Sequence, residues 1–155
     1  MNSVSLSSAR HALLGAAIAV AASATTSADP AGSIDDFFQP DGVTATVENY
    51  PTLETSRQLL IAQGRSAVND IAHNRKLTPT DDQPVVRMNR DTYYSFAVVD
   101  VSAGASITIP SLPDGKYVSV QPVTQDHRIQ PMSYGSGTFE LATHFGTHLY
   151  LVIRL

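Results

Sequence analysis

The chain has 155 residues and no cysteine. That absence excludes a disulfide framework, a thiolate nucleophile and any cysteine-ligated metal centre. No G-x-S-x-G occurs and no serine has an identifiable base, so serine hydrolysis has no support. A glycine-rich phosphate loop is missing, as is strand–helix–strand alternation, which removes the nucleotide-binding α/β classes. No stretch reaches the roughly 20 apolar residues that a membrane-spanning helix needs. Basic charge is scarce. The formal net charge of -4 argues against nucleic acid or an anionic membrane as partner.

What is present begins with an N-terminal processing pattern. Arg10 and His11 precede an apolar stretch from Ala12 to Ala22 and a small-residue region from Ser23 to Ala28. This is the order of a secretory signal peptide, with cleavage expected after Ala28 or after Ala24. A buried, alanine-rich first helix is the structural alternative. No twin-arginine pair or lipobox cysteine accompanies the pattern. Residues 1–28 are therefore assigned as a leader, and the expected location is the periplasm or the medium. Taking 28 residues from 155 leaves 127, and losing Arg10 moves the net charge from -4 to -5. A chain of that length forms one domain and buries roughly two thirds of its unfolded surface.

Residues 29–42 read as a flexible lead-in, with Pro30, Gly32, Pro40 and Gly42 as breakers and a short helical turn around Ile34 to Phe38. Val43–Val47 is a short strand or extended segment. One helical pattern runs from Pro51 to His73: Leu53, Leu60, Ala67 and Ile71 form a stripe, shadowed by Ile61, Val68 and Ala72. Asn49 or Thr52 is the expected N-cap, and Gly64 marks a break or a close approach. After residue 84 the period changes to two. Strands are expected at Val85–Met88, Tyr94–Val99, Ser106–Ile109, Tyr117–Gln121, Thr138–Leu141 and from His148 to the C-terminus. Turns fall at Ala103-Gly104, Pro113-Asp114-Gly115 and Gly135-Ser136-Gly137. The expected fold is mainly β: an antiparallel β-sandwich or barrel-like body with an N-terminal α-helix.

Two polar clusters interrupt this pattern. Asn89, Arg90 and Asp91 sit between two strand readings. Asn89 and Asp91 suit the bracing of a turn or bulge, with Arg90 paired to an acid. Alternatively, Arg87 or Arg90 presents its fork to an anionic ligand, and Tyr94 lines a pocket or packs under the helix. In the second cluster, Asp126, His127 and Arg128 follow Pro122 in an expected loop. His127 is a candidate general base oriented by Asp126 or Asp91, or a loop histidine bonded to backbone. Tyr134 can approach the same place. His73, His144 and His148 have no metal spacing, although a three-histidine site that includes His127 stays open. No metal or cofactor is assigned.

The segments His73-Asn74-Arg75, Leu77-Thr78-Pro79 and Asp82 through Thr92 resemble the DUF1254 family. So do Val98-Val99-Asp100, Leu112-Pro113, Gln125-Asp126-His127, Tyr134 through Gly137 and Val152-Ile153-Arg154. The resemblance runs from about Val43 to the C-terminus and makes 43–155 one DUF1254-like domain. It implies an exported or envelope bacterial protein with a β-rich domain, often followed by a DUF1214 domain, and carries over no catalytic residue. Arg128 stands where the family tends to have an aromatic. Leu155 ends the chain where members continue, so the domain is expected to be incomplete at its C-terminus. Three functions fit: a small-molecule or glycan-related binding module, using Arg87, Asn89, Arg90, Tyr94 and Tyr134; a hydrolase- or lyase-type enzyme, using His127 with Asp126 or Asp91; and a structural or assembly role, with homo-oligomers forming through sheet edges. Mass analysis of exported protein should find an N-terminus near Thr25 or Asp29; Met1 on that material would refute the leader.

Overall fold

The computed structural model describes residues 19–22, 44–81 and 87–155. The elements are β1 (Ala19–Ala22), α1 (Tyr50–Gln63), β2 (Ile71–His73), β3 (Tyr94–Asp100) and β4 (Ala105–Ile109). A 3-10 turn, Pro113–Gly115, leads to β5 (Ser119–Thr124), β6 (Ser133–Tyr134), β7 (Gly137–Leu141) and β8 (His148–Arg154). The strands make a three-stranded sheet, β1-β4-β7, and a five-stranded sheet, β2-β3-β8-β5-β6. All pairings are antiparallel. Among the described residues the chain is thus mainly β, with two sheets and one N-terminal helix, as the alternation of apolar residues implied. β1 lies within the stretch read as a leader, and Ala19 stands opposite Thr108 on β4.

β8 is the centre of the larger sheet. Because side chains alternate across a strand, it divides its residues between two layers. Leu149, Leu151 and Ile153 are fully buried and meet Ala97 and Val99 of β3 and Ile107 and Ile109 of β4. This is the sandwich core. On the opposite face Val98 packs beneath Leu59 and Ala62 of α1, with Val68 and Tyr150 at the margin. The molecule therefore has three layers: small sheet, large sheet and helix.

The helix differs from its sequence reading in two ways. It ends at Gln63, with Gly64 as C-cap donating its N–H to the Leu60 carbonyl at 3.1 Å. Residues 71–73 are a strand, not a last helical turn. Asn69 makes the switch. It adopts φ 64°, its N–H bonds the Val98 carbonyl at 2.8 Å, and its Oδ1 accepts the Asp100 N–H at 3.0 Å. Asparagine tolerates this left-handed conformation better than most residues. The buried face also differs. It is Thr55, Ser56, Leu59 and Ala62, while Ile61 remains 47% exposed. Thr55 and Ser56 can be buried because their hydroxyls donate to the Pro51 and Thr52 carbonyls, at 3.1 and 2.9 Å. Asn49 is the N-cap, but its side chain braces the preceding turn, accepting the Thr46 N–H and donating to the Thr44 carbonyl.

Other segments depart from the sequence pattern or fall outside the described residues. Of Val85–Met88, Val85 and Val86 lie outside the described residues; Arg87 is in a turn at φ 62° and Met88 is irregular. The helical turn at Ile34–Phe38 also lies outside them, and Thr44–Asn49 is irregular and turn rather than strand. Pro122 does not end its strand. It is buried within β5, opposite Leu151, and its carbonyl accepts the Gln130 N–H at 2.9 Å. In a strand, the N–H and C=O of one residue point the same way. The donor that proline lacks thus faces away from β8, on the side where β6 pairs only Ser119 and Val120. At the start of β8, Gly146 has φ 73°, and a Cβ there would meet Gln125 Oε1 at 1.8 Å. That oxygen accepts the N–H groups of Thr147 and His148 at 2.8 and 3.2 Å, tying the loop after β5 to β8.

Leu151 is fully buried between β3 and β5. Leu151→Ala should lower the unfolding free energy in urea by about 3 kcal/mol. A loss below about 1 kcal/mol would show that the two sheets do not share this core.

Candidate functional site

The helix is too short to cover the whole outer face of the large sheet. Between them lies a cleft of about 640 Å³. Its floor follows from strand register. Tyr94 and Phe96 are two apart on β3, and Phe96 stands opposite Val152 beside Tyr150 on β8, so all lie on one face. The Tyr94 and Phe96 ring centroids are 6.0 Å apart with planes 5° from parallel; Phe96 and Tyr150 are 5.9 Å and 3° apart. Gln121 and Val123 of β5 extend the floor, and Ile129 and His127 close one end. Glu54, Gln58 and Ile61 of α1 form the opposite wall, with Arg57 and Arg65 also lining the space.

The polar wall is ordered by charge. Arg57 donates from Nε and Nη2 to the two Glu54 oxygens at 2.8 and 2.7 Å, and Gln58 Nε2 donates to Oε1 at 2.9 Å. The Arg57 hydrogen bonds, outweighing the desolvation that opposes them, hold the Glu54 carboxyl down at about 2. Burial pushes the Tyr150 phenol up to about 12, so it stays a neutral hydroxyl on the floor. His127 is set by a relay from the helix. Its Nδ1 lies 2.7 Å from Thr55 Oγ1, and that hydroxyl also lies 3.1 Å from the Pro51 carbonyl. A hydroxyl has one hydrogen. With it directed to the Pro51 carbonyl, the His127 Nδ1–H donates to Thr55 Oγ1, which fixes the orientation of the ring. The backbone at His127 is left-handed, φ 65°, and its N–H closes a tight turn onto the Thr124 carbonyl at 2.9 Å.

Of the sequence candidates, the structure brings Tyr94 and His127 together in this cleft. Asp126 follows His127 in neither direction nor partners. Its carboxylate takes a hydrogen bond from the Thr124 hydroxyl, His144 Nε2 at 3.0 Å and an ion pair with Arg128 at 3.2 Å. The Thr124 bond first, and then His144, hold that carboxyl below its usual range. Gln130 Nε2 donates to His144 Nδ1 at 2.7 Å, which leaves the His144 proton on Nε2, facing Asp126. The carboxylate that feels His127 electrostatically is Glu54.

Asn89, Arg90 and Asp91 do not line the cleft. Asn89 Oδ1 accepts the Asp91 N–H at 2.8 Å, the expected turn brace. Arg90 Nε donates to the Thr78 carbonyl at 3.0 Å, where an acid partner was expected. Arg87 is exposed. Tyr134 is 59% exposed, tilted against Tyr117 with centroids 6.3 Å apart. His73 and His148 lie near Ser95 and Thr147. Among the described residues no three histidine or acidic side chains group closely enough to hold a metal. Sequence reasoning missed Phe96, Tyr150, Glu54, Arg57 and Arg65 as cleft residues. The signal for Phe96 was present, since it shares a strand face with Tyr94; Tyr150 needed the β3–β8 pairing.

The fold and cleft define a helix-covered antiparallel β-sandwich with an aromatic-floored groove. Residues 68–140 of the chain match the DUF1254 family, described as a protein of unknown function. The matched stretch takes in the Arg87–Thr92 junction and Gln125-Asp126-His127. No curated protein and no solved structure matches the chain.

The depressed Glu54 carboxyl gives a signed pH dependence. Its contribution is present above the ordinary value of 4.5 and is lost as pH falls toward about 2, because the unfolded chain binds the proton first. Arg57 is 49% exposed, so solvent screening limits the contribution to about 1 kcal/mol or less. Glu54→Gln should flatten the slope of stability against pH between those values. An unchanged slope would remove the pair from the balance.

Proposed function

We propose that the domain is an exported binding module for a small organic molecule, held in the cleft between α1 and the large sheet. The carrying observation is the near-parallel row of Tyr94, Phe96 and Tyr150 along the floor of a cleft of about 640 Å³. That volume suits a small ligand, and an apolar floor with a few polar wall groups is the usual composition of such sites. A stack of rings on a rigid sheet offers dispersion contact at little entropic cost. Among the described residues no carboxylate hydrogen-bonds to His127, which favours binding over the hydrolase or lyase reading. Export rests on the leader pattern, and among the described residues no helix is long and apolar enough to cross a membrane.

Homo-oligomerisation belongs to the same proposal. β7 is an edge of the small sheet, five residues long, and offers a second copy a strand to pair with.

A ligand-observed NMR screen of aromatic fragments should return binders that are lost in Phe96→Ala and in Ile61→Trp, the second filling the cleft from its exposed rim. Fragments that bind both folded variants as well as the parent would place the site elsewhere, and an empty screen would sink the binding reading. Sedimentation of the same sample reads the edge: a monomer at every concentration rules out pairing through β7.

A further inference from the structure

We infer that the cleft selects planar aromatic carboxylates, with the ring on the Tyr94–Phe96–Tyr150 floor and the carboxylate on Arg65. This rests on the binding reading above and names its ligand class. Arg65 follows the C-cap of α1, and its backbone N–H bonds the Ala62 carbonyl at 2.9 Å, which fixes its root at the cleft rim. Its guanidinium lies over the Phe96 ring, 5.9 Å from the centroid. Among the described residues it has no hydrogen-bond acceptor and no acidic partner. The other arginine lining the cleft, Arg57, is paired with Glu54 at 2.7 Å. Among the described residues, Arg65 is therefore an arginine of the cleft lining without an acidic partner, above an apolar floor and in a chain of net charge -4.

The shape of that cation sets the ligand. A guanidinium is planar, presents five N–H donors and matches a carboxylate two bonds at a time. Its position over Phe96, within cation–π range, puts it beside the rings on which a flat partner would settle. An arginine fork suits a monoanionic carboxylate, whereas a phosphate usually draws several donors. The floor supplies the second requirement. Its rings are nearly parallel and closely spaced, so a flat aromatic ligand gains contact across more than one of them.

The test compares 2-naphthoate with its neutral isostere 2-naphthamide by calorimetry at neutral pH and low salt. The acid should bind roughly tenfold more tightly, the strength of one charge-assisted pair. Arg65→Gln should bring the ratio close to one, with the acid losing far more affinity than the amide. Arg75→Gln removes the same charge from a residue that does not line the cleft, and should leave the ratio alone. Equal binding of acid and amide to the parent overturns the acid preference but leaves the binding cleft standing. Failure of both to bind overturns both readings. A ratio that survives Arg65→Gln, or falls equally in Arg75→Gln, removes Arg65 from recognition.

Discussion

The molecule is organised by unequal coverage of one sheet. β8 sits between β3 and β5, and both of its faces must be kept from water. On one face a second sheet meets Leu149, Leu151 and Ile153 along their whole length. On the other, a helix of 14 residues covers the region above Val98 and leaves Phe96, Tyr94 and Tyr150 under a gap. The cleft is what remains when a sheet is wider than its lid. Its aromatic character has the same origin, because large rings shield their own strand where no neighbouring element does so.

Small polar residues hold this arrangement in register. Asn69 ties the chain leaving α1 to β3 through Val98 and Asp100. Thr55 sits in the helix face against the sheet and links the Pro51 carbonyl to His127 across the cleft end. Gln125 joins the β5 loop to the start of β8. In each case a buried or partly buried polar group is matched to a backbone or ring partner, which is the condition for its presence at a layer boundary. The Asn89 brace does the same at the entry to β3, so within the family-matched stretch Asn89 serves the junction, while its neighbour Met88 reaches the cleft.

The sequence made the architecture legible wherever the signal was local. The period of two in β3, β4, β7 and β8, the turn at Pro113–Gly115 and the start of α1 beside Pro51 all follow from neighbours in the chain. The helix end was misjudged because Ile71 and Ala72 continue a helical rhythm by coincidence, while a left-handed Asn69 leaves no mark on apolar spacing. Pro122 read as a terminator because the harmless direction of its missing donor depends on where β6 stops. The site was half legible for a similar reason. Tyr94 and His127 could be picked out as residue types, but Tyr150, Arg65 and Glu54 become cleft residues only through the packing of α1 on β3 and β8.

The composition of the floor also gives the protein a built-in optical label. The chain has no tryptophan and six tyrosines, and two of the six, Tyr94 and Tyr150, lie in the cleft. Its near-ultraviolet spectrum is therefore a tyrosine spectrum in which the rings held rigidly on the sheet carry much of the chirality. Any molecule that settles on that floor enters the electronic environment of those phenols directly, so occupancy of the cleft can be followed on the unmodified protein.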